Sequence, residues 1–209
     1  IALLALAVRR TARRPLWAAA GAGLLLGWAV FLNYGLVLMA FPAVAVLICS
    51  TDRRTALRTL GVAAGAALSM VAVFAVAGFW WFDGYLAVQQ RYWQGIATDR
   101  PFQYWGWANF ASVVCAIGLG SVAGVARAFD ATAIRRRDGL NLVVLGALIA
   151  IVFADFSMLS KAETERIWLS FEVWLTAAPA LLAVRSHRWW LGVNAAGALL
   201  INHLILTNW

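Results

Sequence analysis

The sequence predicts an all-α fold, a polytopic transmembrane helix bundle of about seven spans preceded by part of an N-terminal helix. Hydrophobic residues fill 64% of the 209 positions and charged ones only 12%. With a mean hydropathy of +0.80, that is more apolar surface than one soluble core of this length hides. The apolar residues fall in runs bounded by charge clusters. Twelve Trp and seventeen Gly accompany them, as expected where rings anchor at headgroups and small residues let helices approach closely. Soluble enzymes, nucleic-acid-binding modules and disordered tails are excluded by this composition.

The first eight residues, IALLALAV, run into Arg9 and Arg10 and are too short to span. They read as the tail of a helix, so the chain is expected to be the C-terminal part of a longer protein. Seven apolar runs follow, at 16–31, 35–49, 59–80, 109–127, 140–158, 167–184 and 189–206. The first two are short and meet at Asn33-Tyr34-Gly35, with Pro42 in the second, which suits either a tight hairpin or one broken helix.

Charge placement decides for the hairpin. With seven spans, one set of connections holds thirteen arginines: Arg9, Arg10, Arg13, Arg14, Arg53, Arg54, Arg58, Arg127, Arg135, Arg136, Arg137, Arg185 and Arg188. The other holds only Arg91, Arg100, Lys161 and Arg166. Merging the first two spans would mix the sets. The Arg-rich side is therefore assigned to the cytoplasm and the C terminus to the outside. Sixteen Arg against one Lys hints at a GC-rich bacterial genome.

Gly23 with Gly27, Gly61 with Gly65, and Gly120 with Gly124 form small-residue pairs one helical turn apart, which predicts tight helix packing. Cys49 and Cys115 lie in apolar runs and read as buried free thiols. No linker divides residues 1–209, which are expected to form a single transmembrane domain, and no internal repeat supports an inverted-repeat transporter.

Polar material outside the spans falls in two places. The larger is an outer interfacial loop over residues 83–108. Its first half puts Tyr85, Val88, Tyr92 and Ile96 on one helical stripe and Gln90, Arg91 and Gln94 on another, the pattern of a helix lying in the headgroup plane. Its second half is broken by Pro101 and dense in aromatics: Phe102, Tyr104, Trp105 and Trp107. Such rings suit stacking on sugar faces and equally suit an interface belt. With Arg91 and Arg100 they form a candidate substrate or lipid-phosphate site, because the guanidinium fork matches phosphate oxygens.

The smaller place is SKAETERIW, residues 160–168, with Lys161, Glu163, Glu165 and Arg166 at the outer start of a span. Glu163 and Arg166 can pair on one helix face, leaving Lys161 solvated. Alternatively, Arg166 holds the phosphate of a lipid-linked substrate while a glutamate orients it or a sugar hydroxyl. Asp155 is expected either to reach the same vestibule or to be wet at the interface. Glu172, one heptad after Glu165, is expected to look into the bundle. Asn194, Asn202 and His203 read as interhelical hydrogen-bond partners. There is no zinc-ligand spacing, P-loop, Ser-His-Asp order or dinucleotide glycine fingerprint, so no cofactor is identified and no ligand set for a divalent metal stands out.

The run GLLLGWAVFLNYGLVLMAFPAV, with RYWQGIATDRPFQYWGWAN and KAETERIWLSFEVWL after it, resembles the second half of membrane glycosyltransferases of the GT-C fold. The similarity is to actinobacterial, polyprenyl-phosphate-sugar-dependent members, methylthioxylose transferase-like or mannosyltransferase-like. It covers most of the chain, with Ser170 in place of a proline. The resemblance implies a polyprenyl-phosphate sugar donor and a cell-envelope glycan or glycolipid acceptor, joined at the outer face of the membrane. It implies Arg166, with Lys161, as donor-phosphate ligand beside Glu163 and Glu165. Arg91, Tyr92, Arg100 and Tyr104 would form a lid, with Trp105 and Trp107 beside it as substrate-binding rings. The family's catalytic base or metal ligand lies in a first outer loop, which here would precede Ile1. Within the chain Asp155, Glu163 and Glu165 are the candidates for it. A transporter or lipid flippase using Asp155 and Glu172, or a non-catalytic membrane subunit, is the alternative reading; nucleic acid is not an expected partner.

Overall fold

The computed structural model describes residues 1–9, 14–161 and 164–204, with the side chains of Ile96, Glu165 and Arg166 outside the description. Every regular element among the described residues is helical. Two compact units divide the chain, Ile1–Arg100 and Pro101–Trp209.

In the first unit α1 (Ala2–Ala7) packs on α2 (Pro15–Leu32), which opens on Pro15, whose missing N–H costs nothing in a first turn. α2 ends where Asn33 becomes extended and its side chain accepts the Gly35 N–H at 2.8 Å. A 3-10 turn (Tyr34–Met39) then leads into α3 (Ala40–Ile48), which touches both α1 and α4 (Arg53–Val76). The main contact is α2 on α4. A β-carbon on Gly23 would overlap the Ala63 backbone, and one on Gly27 would stand 2.9 Å from Ala67 Cα, so these glycines are what allow the two backbones to meet.

α5 (Trp81–Trp93) is tied to the end of α2, because Trp81 Nε1 donates to the Val30 carbonyl at 3.2 Å. That carbonyl is among the last of α2, where no further helical N–H exists to satisfy it. Trp81 stacks on Tyr85 with centroids 5.4 Å apart, and Tyr34 meets Trp81 edge-on at 5.1 Å. The face of α5 turned inward carries Trp81, Tyr85, Gln89 and Tyr92, while Val88 is exposed and Ile96 falls in a separate 3-10 turn (Ile96–Asp99). The expected stripe through Val88 and Ile96 is thus corrected: aromatic contacts with Tyr34 set the rotation of the helix.

In the second unit α6 (Phe102–Ile117) and α7 (Leu119–Ala128) meet at 106° across Gly118, whose φ of 77° favours glycine. The bend strips the first turn of α7 of helical partners, and Asn194 of α12 (His187–Leu204) repairs it by accepting the Gly120 N–H at 2.7 Å. At the other end of α7, Asn141 Nδ2 donates to the Arg127 and Ala128 carbonyls. A short α8 (Ala131–Arg135), capped by Asp130, leads to α9 (Gly139–Phe156), the most buried helix of the unit. α10 (Thr164–Ile167) and α11 (Leu169–Leu175) are separated at Trp168, and two 3-10 turns (Ala178–Leu181 and Val184–Ser186) precede α12. Gly124 seats against the Ala178–Pro179 backbone.

Three helices, α2, α4 and α9, are long and apolar enough to cross a membrane, and the bent pair α6–α7 would make a fourth. The remaining predicted runs take other forms. Residues 34–48 and 169–181 are shorter apolar helices, and α12 carries Arg188, two asparagines and two histidines within its length. Two expectations about small side chains are corrected. Gly61 and Gly65 have nothing within 4 Å of a β-carbon position, so this pair packs on no described residue. Cys115 is exposed and Cys49, which caps the end of α3, is half-buried.

Candidate functional site

The chain leaves α9 through a sharp turn. Met158 takes a left-handed conformation, φ 58°, at a cost of about 1–2 kcal/mol, and the chain folds back over the last turn of the helix. Ser160 Oγ donates to the Ala154 carbonyl at 3.3 Å and accepts the Trp168 indole N–H at 3.1 Å. α6 closes the arrangement: Asn109 Nδ2 donates to Asp155 Oδ1 at 2.7 Å and to the Ser160 carbonyl at 3.2 Å. One amide thus joins α6, the end of α9 and the loop that follows.

All of this is out of solvent. Asp155 is 3% exposed and Asn109 2%. Burial without pairing would cost a carboxylate several kcal/mol, and Asn109 offsets part of that at Oδ1. No described residue donates to Oδ2. It stands 3.5 Å from where a β-carbon on Gly106 would be, with the Phe102 ring at 3.2 Å from the same point. The wall of the cluster is Trp168 and Phe171, both fully enclosed, with Phe110 against Trp168 at 6.3 Å.

Lys161, next to Ser160, is 7% exposed. It is not the solvated surface lysine of the simpler sequence reading, and it is the buried cation among the described residues. Glu172 is buried on α11 as expected, although the break at Trp168 interrupts the helix that was to align it with Glu165. Glu163 lies outside the described residues. Glu165 and Arg166 are on α10, and their side chains lie outside the description.

The aromatic candidates face elsewhere. Tyr104 and Trp107 are 65% and 80% exposed, on the face of α6 opposite Gly106 and Asn109; Tyr104 meets Trp105 edge-on at 5.4 Å. Arg91, Tyr92 and Arg100 belong to the first unit. There Arg91 reaches Gln94 of its own helix end at 3.5 Å, and Tyr92 packs edge-on against Trp93 at 5.6 Å. The cluster that forms is therefore Asp155 with Asn109, Gly106, Ser160 and Trp168, four partners that the sequence reading did not single out. The available signal was the spacing of Gly106 and Asn109, which share a face of α6 once the helix is seen to begin at Phe102. No group of three or more His, Cys, Asp or Glu gathers for a metal among the described residues.

A carboxylate with one oxygen fixed by a neighbouring amide holds the other in a set direction. It can accept a hydroxyl hydrogen, and then its proton, at a defined point. Compared with protein-family models, curated proteins and solved structures, the chain matches none.

Proposed function

We propose that the protein is an integral membrane glycosyltransferase, moving a sugar from a polyprenyl phosphate to a cell-envelope glycan or glycolipid at the outer face of the cytoplasmic membrane. The observation that carries the reading is Asp155, a buried carboxylate held on one oxygen by Asn109 and near in sequence to the buried Lys161. In this reading an acceptor hydroxyl gives its proton to Asp155 as its oxygen bonds to the anomeric carbon. The bond from that carbon to the polyprenyl phosphate breaks, and the phosphate leaves with the electron pair. Lys161 and Arg166 stabilise the departing phosphate. The helices at 34–48 and 169–181, the bent pair and α12 complete a seven-crossing, GT-C-like bundle with the Arg-rich connections in the cytoplasm.

A transporter or flippase is the second reading, favoured by the buried Glu172. Transfer of labelled sugar from polyprenyl-phosphate donors, assayed in membranes with the full-length protein at equal expression, separates the two. The transferase reading expects transfer in the wild type and its loss, by a factor of about 100 or more, in Arg166→Ala and Lys161→Ala. No transfer with any donor would reject it in favour of transport.

A further inference from the structure

We infer that Arg14, Arg54 and Arg58, at the shared starting end of α2 and α4, form a docking surface for the headgroup of an anionic phospholipid whose acyl chains lie along the outer face of α4. The surface belongs to the first unit and is independent of the sugar-transfer reading.

The packing of the two helices brings the charges together. Gly23 seats on Ala63 and Gly27 on Ala67, an equal advance along both helices, so α2 and α4 run in the same direction. Carried back to the first turns, the same register sets Arg14, the residue before Pro15, level with Arg54. Arg53 and Arg58 flank Arg54 on α4, and all four side chains are exposed. The acid beside them, Asp52, is already occupied: Oδ1 accepts the Arg54 N–H at 3.1 Å, and Oδ2 accepts the Thr55 N–H at 3.0 Å and the Thr55 hydroxyl at 2.6 Å. One carboxylate among four guanidinium groups leaves this end strongly positive, and the two aligned helix starts add charge of the same sign.

The charge stands directly beside apolar surface. Arg54 and Arg58, four residues apart, share the face of α4 opposite Ala63 and Ala67. Leu57 and Leu68 are exposed at the edge of that face, and Gly61 and Gly65 leave its middle unobstructed. On α2, Trp17 is 77% exposed one turn in from Arg14, the place of an indole at the headgroup level of a bilayer.

That juxtaposition selects the partner. A soluble anion would meet the arginines and leave the leucines and Trp17 in water. A zwitterionic lipid carries its own cation beside the phosphate, and a second copy of the chain in the same orientation would set arginines against arginines. An anionic phospholipid meets both requirements: its phosphate oxygens accept from the guanidinium forks, and its chains cover the helix face.

The test is lipid retention by the full-length protein, purified in a non-ionic detergent and titrated with phosphatidylglycerol or phosphatidylcholine of the same acyl chains, with bound lipid counted by native mass spectrometry. The wild type is expected to hold phosphatidylglycerol about tenfold more tightly than phosphatidylcholine. The double variant Arg54→Gln, Arg58→Gln is expected to retain one tightly held phosphatidylglycerol fewer, at an unchanged thermal midpoint in detergent alone, whereas Arg54→Lys, Arg58→Lys keeps it. Glycerol 3-phosphate, the same phosphate without chains, is expected not to displace the lipid. Equal binding of the two lipids by the wild type would overturn the assignment whether or not the variants fold. A full complement of tightly held phosphatidylglycerol in the glutamine variant would overturn it too, and displacement by glycerol 3-phosphate would overturn it in favour of a soluble phosphate ester.

Discussion

Asp155, Asn109, Ser160 and Trp168 form a chain of hydrogen bonds in which each bond fixes the geometry of the next. Trp168→Phe keeps the ring and removes the indole N–H, leaving the buried Ser160 hydroxyl oxygen with one partner fewer. The expected cost is about 1 kcal/mol, read as a lowered midpoint in denaturant unfolding, with Ser160→Ala adding little in the double variant. Outside the spans, acidic caps carry the pH dependence. Asp52 accepts from the Thr55 hydroxyl and from the Thr55 and Arg54 N–H groups, which together hold its carboxyl below the ordinary aspartate value. Asp130 is held down in the same direction by the Ala133 and Thr132 N–H groups. A lowered folded value means that the caps contribute fully above the ordinary aspartate value and are lost as pH falls through the folded ones. The acid limb of thermal stability is therefore expected to flatten in Asp52→Asn and Asp130→Asn, since asparagine caps without titrating.

At the scale of elements, the three glycine pairs are alike in sequence and unlike in structure. Gly23 and Gly27 hold α2 against α4, and Gly124 holds α7 against the Ala178–Pro179 backbone, whereas Gly61 and Gly65 face open space. Gly23→Ala is expected to destabilise by about 1–3 kcal/mol through forced separation of the backbones. Gly61→Ala is expected to be neutral or stabilising by up to about 1 kcal/mol through helix propensity; comparing the two unfolding midpoints checks the difference. The bend at Gly118 depends on Asn194 in the same way, and Asn194→Ala is expected to cost about 1 kcal/mol by orphaning the Gly120 N–H. A turn-spaced glycine pair was legible in the sequence, but which of the two faces of α4 carries the contact was not. That depends on Ala63 and Ala67, residues too common in apolar helices to stand out. Similarly, the burial of Glu172 and the interhelical role of Asn194 followed from polar groups in apolar runs. The partnership of Asp155 with Asn109 did not, because it joins residues 46 positions apart and depends on the left-handed turn at Met158.

For the molecule as a whole, composition alone dictates helices, since every backbone polar group in lipid must be satisfied within its own segment. α2 and α9 follow the predicted boundaries closely, while α4 begins and ends earlier than its apolar run, because the Asp52 cap starts it at Arg53 and it stops at Val76 before Gly78. The other runs contain Pro42, Gly118, Pro179 or the polar groups of α12; the structure bends at Gly118 and passes into a 3-10 turn at Pro179, while Pro42 lies within the first turn of the short α3. Those interruptions are concentrated in the unit that carries Asp155, which is where irregular backbone in a membrane protein is tolerated, around a polar cluster shielded by neighbouring helices. In the proposed reaction Asp155 takes the acceptor proton. The most direct measurement compares wild type, Asp155→Asn and Glu172→Gln for transfer of labelled sugar from polyprenyl phosphate in membranes at matched expression. That role predicts a loss of about 100-fold to 10,000-fold in Asp155→Asn with Glu172→Gln near wild type. Transfer by Asp155→Asn at the wild-type rate would contradict it.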